Sequence, residues 1–401
     1  MKKINILLFV FLLLPMFAHS ESYLQEPNSN EIWYTTIDGN ILTQFKESGF
    51  DSKIISHSYQ DGKGVIVFKD ELKKIKKGTF VGCDTLESVT LPNSVNSIGK
   101  DAFYYCVNLK SINIPNGIER VSVGMLYGCK ALESIVIPMS VTKIENEAFG
   151  LCKSLKSVTI STNVTKIGTA AFADCYNLVD LCIPEGVKSI KAGTFYNCES
   201  LTSIIIPQNV SRVGFRAFEG CTNLNSVSMS SRVKRIRAFA FRGCSSLLAI
   251  DIPKGVRRIG FYAFEGCSNL VSANLPNGLK KISSQMFSGC TNLEHVTIPT
   301  SVERIGWYAF RDCVNIETIT LPKNVKTIGI GAFYGCNSLK QIMCEPLIPP
   351  KKSAFLSYYF KIREYNYLFQ FPCTVLVPLI SVDEYEKKWG NLANDIQPMD
   401  R

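Results

Sequence analysis

The chain predicts an α/β solenoid: a coil repeated about a dozen times, with a parallel sheet along one face and short helical turns along the other. Three observations carry the prediction. Cysteine recurs at a constant step of 23 residues through twelve copies, Cys83, Cys106, Cys129, Cys152, Cys175, Cys198, Cys221, Cys244, Cys267, Cys290, Cys313 and Cys336, without an insertion or deletion. Apolar residues keep fixed places between those cysteines. Proline closes the same place in nine of the twelve copies. Self-similarity at a period of about 20–50 residues means stacked units, each closing the same physical turn.

The copy around Cys267 shows how each part is expected to form. Ala263, Phe264, Cys267 and Leu270 lie at i, i+1, i+4 and i+7, the spacing of one apolar face of a short helix. Ala273 and Leu275 then alternate with polar residues, as do Ile112/Ile114, Val158/Ile160, Ile250/Ile252 and Val296/Ile298. That is the period of a strand with one buried face. Pro276 follows, and proline, lacking an N–H, ends the strand. A second apolar pair, three apart, comes next, Leu279/Ile282 here and Val141/Ile144 or Val302/Ile305 elsewhere. A glycine such as Gly168, Gly214, Gly260 or Gly306 is then expected to let the chain turn into the next helical piece. One coil cannot bury this apolar set alone. Coils stacked about 4.8 Å apart can, and would form a curved rod about 60 Å long.

Other segments flank the array. Met1–Ser20 has Lys2, Lys3, the apolar run Ile6–Leu14 and small residues at Ala18 and Ser20, and reads as a secretory signal peptide. No cysteine near the cleavage point suggests a lipid anchor, and no later stretch is long and apolar enough to span a membrane. Residues 21–64 lack the repeat. Ile32–Tyr34, Asp38–Asn40 and Gly62–Gly64 predict short strands and turns there, an N-terminal cap over the first apolar face. A half repeat (Ile66, Phe68, Leu72, Ile75) leads into a solenoid spanning residues 65–344. Residues 345–401 are expected to close the other end. Pro349, Pro350, Ala354 and Phe355 echo the coil, and an aromatic insertion, Tyr358–Phe371, interrupts the period. Thr374–Pro378 reads as a last strand, and Val382, Tyr385 and Trp389 as a closing helix or turn. Leu126 stands where the other eleven copies place phenylalanine, and the stack is expected to continue through it.

The phrase I-P-x-x-V-x-x-I-G-x-x-A-F-x-G-C-x-x-L-x-x-I, carried over residues 65–344, resembles the BspA-type leucine-rich repeat of bacterial surface and secreted proteins. Its 23-residue period falls within the range of leucine-rich repeats. The resemblance implies a right-handed leucine-rich repeat solenoid and a role in adhesion or recognition. The two end segments are similar to the leader and the C-terminal cap of the same family.

The formal charge is +10, and removing Lys2 and Lys3 leaves +8, basic without naming a partner. Fifteen cysteines in an exported chain first suggest disulfides. Twelve of them sit in one column between buried Phe and Leu, which favours thiols acting as small apolar fillers, with vertical disulfides between coils as the alternative. Cys182, on an outward strand position, is the candidate for exposure. There is no paired C-x-x-C, and after the leader only His57 and His295 remain, so a zinc site is not expected. Nucleophile, phosphate-loop and H-E-x-x-H motifs are absent, and Glu219, Glu265 and Asp312 stand singly. No catalytic residue, cofactor or metal is expected.

Three surface columns remain. Outward strand residues are small and polar, as in Ser88/Thr90, Ser157/Thr159 and Ser272/Asn274: either plain solubility or a broad contact surface. Arg120, Lys143, Lys166, Arg212, Arg235, Arg258, Lys281 and Arg304 form a basic column that broadens through Arg232, Lys234, Arg237, Arg242, Lys254 and Arg257. It reads as a solvated ridge or as a match for a polyanion. Phe215, Phe239, Phe261, Tyr262, Trp307 and Tyr308 lie five or six residues before the cysteine, as packing between turns or as exposed anchors. Basic and aromatic excess coincide over residues 212–262. The candidate contacts are therefore Arg212, Arg235, Arg237, Arg258, Phe239, Phe261, Tyr262, Trp307 and Tyr308.

The expected protein is a secreted or cell-surface recognition module, with the periplasm as the other location. It is expected to be non-enzymatic and monomeric, and to bind an extracellular protein or acidic glycan with no specific nucleic acid. The rival reading is a glycan-capturing or envelope-structural protein.

Overall fold

A computed structural model describes residues 26–352, 371–390 and 393–399. The expected signal peptide, Ala354-Phe355 and the aromatic insertion from Tyr358 to residue 370 lie outside them. The chain winds as a stack of coils in which each 23-residue copy touches the next along three columns.

The first column is the expected parallel sheet. Ser134–Ile137 pairs with Ser157–Ile160, Ser203–Ile206 with Ser226–Met229, and Ser272–Asn274 with His295–Thr297, each residue beside its equivalent 23 positions on. The alternation holds: Ile135 and Ile137 are buried while Ser134 and Val136 face out.

The second column was not foreseen. The second member of the apolar pair after proline, with the residue before it, forms a two-residue strand of a second parallel sheet, including Arg120–Val121, Lys143–Ile144, Lys166–Ile167, Arg212–Val213 and Arg235–Ile236. The apolar member points in and the basic member points out.

The third column replaces the expected short helix. Among the described residues the one α-helix is Val382–Trp389, outside the repeats. The segment leading to each cysteine is a run of turns in which the residues five and one before it both have positive φ, in every copy. In the Cys267 coil these are Tyr262 (58°) and Gly266 (70°). That backbone cannot close i→i−4 bonds, so its N–H groups turn to the next coil: Tyr262 donates to Ser284 O (3.1 Å), Phe264 to Met286 O (3.0 Å) and Gly266 to Ser288 O (2.8 Å).

The core follows from the three columns. Phenylalanine rings stack in a ladder from Phe149 to Phe333, with centroids 5.3–5.7 Å apart. Phe80 and Phe103 form a shorter ladder, and buried Leu126 separates the two without ending the solenoid. Beside them runs the cysteine column, with all fifteen thiols free. The thiols do more than fill space. Cys267 donates to the Phe241 carbonyl at 3.2 Å and Cys290 to the Phe264 carbonyl at 3.1 Å, a bond across 26 residues repeated up to Cys336.

Burial lifts Cys152, Cys267 and Cys336 from 9.0 to about 12. Their folded-state values lie above the unfolded one, so this contribution is fully present below about pH 9 and is lost as pH rises toward 12. Within that window the unfolded chain ionises thiols that the folded column keeps protonated, which favours unfolding. We expect a steep alkaline unfolding transition between pH 9 and 12. At pH 8 a thiol reagent should modify only the exposed Cys182 rapidly in the native chain, and all fifteen cysteines in urea. Rapid native modification of several thiols would contradict the buried column.

At the N-terminal end, Glu31–Thr36 runs antiparallel between Lys63–Phe68 and Leu86–Thr90. The strand of the expected half repeat, carrying Ile66 and Phe68, is thus separated from the first full coil by a strand from outside the repeat. Its second half is in phase: Lys74–Ile75 pairs with Ser97–Ile98. Phe45 and Phe50 cover the end of the ring column, each 5.8 Å from Phe80.

At the other end, Phe371–Val377 joins the first sheet beside Gln341–Cys344, and Ala393–Pro398 adds a strand beyond the one expected to be last. The helix between them buries Tyr385 and Trp389, and Tyr385 donates its hydroxyl to Pro346 O at 2.9 Å. Among the described residues no helix is long and apolar enough to cross a membrane.

Candidate functional site

The polar, basic and aromatic columns fall on different parts of the coil. Outward residues of the first sheet are mostly polar, His295 among them with Glu294 at 3.8 Å, while Val136 and Ile205 also face out, 64% and 71% exposed. The basic column rides on the second sheet. Arg212, Arg235 and Arg258 are in register on adjacent strands, as are Arg120, Lys143 and Lys166, and then Lys281 and Arg304. Lys166 is neutralised by Glu145 at 2.7 Å. Arg237 is exposed just past the second sheet, two residues before Phe239.

The aromatic residues gather on the turn column. Phe239 is half-buried at the centre. Tyr262 stacks on it at 4.8 Å, and Phe215 and Phe261 meet it edge-on at 5.5 and 5.4 Å. Phe215 and Phe261 remain 42% and 49% exposed. Two guanidiniums flank the central ring, Arg216 at 5.3 Å and Arg242 at 5.5 Å from its centroid.

Those guanidiniums are held from beneath by acids. Arg216 lies 3.3 Å from Glu219, Glu219 lies 3.4 Å from Arg242, and Arg242 lies 2.6 Å from Glu265. Burial raises the Glu219 carboxyl above its usual range, while both arginines pull it back. Glu219 and Glu265, which stand singly in sequence, are thus links in an ion-pair chain across three coils, while Asp312 pairs with its neighbour Arg311 at 3.0 Å.

Gln285 continues the column and donates to the Tyr262 hydroxyl at 2.7 Å. Trp307 and Tyr308 come one coil later, half-buried, with the Arg311 guanidinium 5.6 Å from the Tyr308 ring. The structure therefore brings Phe239, Phe261 and Tyr262 into one cluster. It places Arg212, Arg235 and Arg258 in a separate ladder and Trp307 and Tyr308 farther along the axis.

Sequence reasoning missed Arg216 and the acid–base pattern two residues before the cysteine: Glu219, Arg242, Glu265 on successive coils. Aligning that one column shows the alternation of sign.

The backbone under the cluster has the left-handed turn found in every coil. Arg216, Phe239, Tyr262 and Tyr308 have φ of 54°, 59°, 58° and 51°, at a place that Gly78, Gly124, Gly193 and Gly331 occupy in other coils. A bulky residue there costs on the order of 1 kcal/mol. The side chains are held in a conformation the backbone disfavours.

The model for a BspA type leucine rich repeat region of six copies matches the chain over residues 59–179, 124–248, 171–287 and 257–368. No curated protein matches the sequence. A leucine-rich repeat protein from Bacteroides ovatus ATCC 8483 is similar in structure, with a TM-score of 0.64 and 27% identity over 85% of this chain and 90% of that one. A leucine rich cell surface protein from Faecalibacterium prausnitzii A2-165 is 25% identical over 81% of this chain and 96% of its own, with a TM-score of 0.49.

Proposed function

The chain belongs to the BspA-type leucine-rich repeat family, and from that premise we propose that it is an exported or surface-exposed recognition protein. It works without catalysis, and its contact surface is the aromatic–arginine cluster of the Cys221, Cys244 and Cys267 coils with the flanking arginine ladder. One observation carries the reading: Phe215, Phe239, Phe261 and Tyr262 gather in one partly exposed cluster flanked by the Arg216 and Arg242 guanidiniums. Partly exposed aromatic rings beside guanidiniums are the side chains that anchor interfaces. Arg212, Arg235, Arg237, Arg258, Phe239, Phe261 and Tyr262 form the core of the proposed surface, and Trp307 and Tyr308 extend it. The partner class is an extracellular protein or an acidic glycan.

The test is an array of glycans and extracellular-matrix proteins probed with the purified chain at low and physiological salt. A hit that survives physiological salt and weakens about tenfold with Phe239→Ala plus Tyr262→Ala is the expected result. A hit unaffected by those substitutions, or silence across the array, would remove the reading.

A further inference from the structure

The second sheet is interrupted at three places, and serine bridges two of them. In an intact stretch, the N–H seven residues before the cysteine donates to an Ile or Val carbonyl one coil back. Gly260 does so to Ile236 at 2.9 Å, and Gly306 to Ile282 at 2.8 Å. Between Arg258–Ile259 and Lys281–Ile282, which are not paired, the bond is made instead by the Ser283 hydroxyl, 2.5 Å from the Ile259 carbonyl. Ser122 does the same for Ile98 at 2.5 Å, between Ser97–Ile98 and Arg120–Val121. A side chain interposed between two backbones holds the coils apart. A cleft opens at each seam, about 460 Å³ at Ser122 and about 700 Å³ at Ser283.

The two clefts differ in charge. The first is lined by one acid and one base, Glu119 and Arg120. The second is lined by Arg257, Arg258, Lys280 and Lys281 with no carboxylate. Arg257 is turned to the Lys254 carbonyl (2.7 Å) and Lys280 to Glu303 (3.0 Å). Arg258 and Lys281 have no carboxylate within ion-pair distance among the described residues. Three of these four cations, Arg257, Arg258 and Lys281, lack a carboxylate partner among the described residues and repel one another across the opening, and a tetrahedral oxyanion would relieve that repulsion. A guanidinium takes two of its oxygens in a fork, and ammonium groups add point charge. Phe261 and Tyr262 follow Arg258 by three and four residues on the same coil, on the turn column and outside the lining of the opening.

We propose that the Ser283 seam is an oxyanion subsite that takes a sulfate monoester of a sulfated glycan. It rests on the recognition reading above and names the ligand class for one end of that surface.

The test is anisotropy binding of a labelled heparin-derived oligosaccharide to the full chain, compared with Arg258→Ala/Lys281→Ala and with Arg120→Ala at the other seam. The double variant should bind about tenfold more weakly with a shallower salt dependence, while Arg120→Ala and the thermal midpoints stay unchanged. The desulfated oligosaccharide should bind the unmodified chain no better than the sulfated one binds the double variant. Equal binding by the double variant, equal loss with Arg120→Ala, or equal competition by duplex DNA of matched charge would overturn the subsite. Any of these leaves the recognition reading standing, because that reading fails only on the array and the Phe239/Tyr262 substitutions.

Discussion

Phe264→Ala is expected to destabilise the chain by about 4 kcal/mol. The ring is fully buried and lies between Phe241 at 5.5 Å and Phe287 at 5.6 Å, nearly parallel to both. Removing it leaves a gap in the ladder that neither neighbour can fill, because each is fixed by its own coil. The backbone at Phe264 also donates to Met286 O and accepts the Cys290 thiol, so relaxation there would disturb bonds in both directions along the stack. Phe264→Leu provides the comparison. Leu126 already occupies this place in one coil, fully buried, and its carbonyl still accepts the Cys152 thiol at 3.2 Å. Leucine should therefore cost about 1 kcal/mol. Urea unfolding of the two variants decides the matter; similar costs for alanine and leucine would show that ring stacking contributes little.

Gly260→Ala is expected to cost about 3 kcal/mol although it adds one methyl group. Glycine at this place was expected to supply conformational freedom for a turn, and the structure corrects the reason. Gly260 lacks a positive φ, and a Cβ there would lie 2.2 Å from the Ala238 nitrogen and 2.5 Å from its Cα. The constraint is close approach of two backbones. Lys191, Arg237 and Ser283 carry side chains at the same place, and each follows a coil whose equivalent residue is glycine, Gly168, Gly214 or Gly260. Arg237→Ala, which adds no Cβ, should therefore change stability by less than about 0.5 kcal/mol. A calorimetric comparison in which both alanines behave alike would refute the steric account. Because Phe261 and Tyr262 follow directly, Gly260→Ala should also displace the aromatic cluster and weaken any ligand that depends on it.

The period made the stack, the first sheet and the buried thiol column legible, since each rests on one residue type recurring at one place. The second sheet was not legible, because strands of two residues are too short to show alternation. The turns were read as helix for a related reason. The spacing of Ala263, Phe264, Cys267 and Leu270 suits an apolar helical face, and the left-handed residues that break it are concealed by their identities. Thirteen of the positions with positive φ in that column are not glycine, Phe239, Leu151 and Glu147 among them. Of the candidate surface, the aromatic and basic residues were readable as columns. The chain of ion pairs beneath them was not, because Glu219 and Glu265 were weighed singly rather than against Arg242 between them. Nor could the charge-lined seam be read, since Ser283 differs from the glycine it replaces by a hydroxyl whose role depends on the coil before it.

The contacts that hold the stack all join residues about one period apart, 22 to 24 positions for the backbone and 26 for the thiols. Inserting or deleting a single residue inside a coil would misalign every column beyond it at once, whereas adding or removing an entire coil rejoins each column to an equivalent partner. The gene can therefore lengthen or shorten this protein by recombination between copies without designing a new interface. Variation in reach among natural alleles should come in steps of one coil, with the aromatic cluster carried nearer to or farther from either end as an intact block.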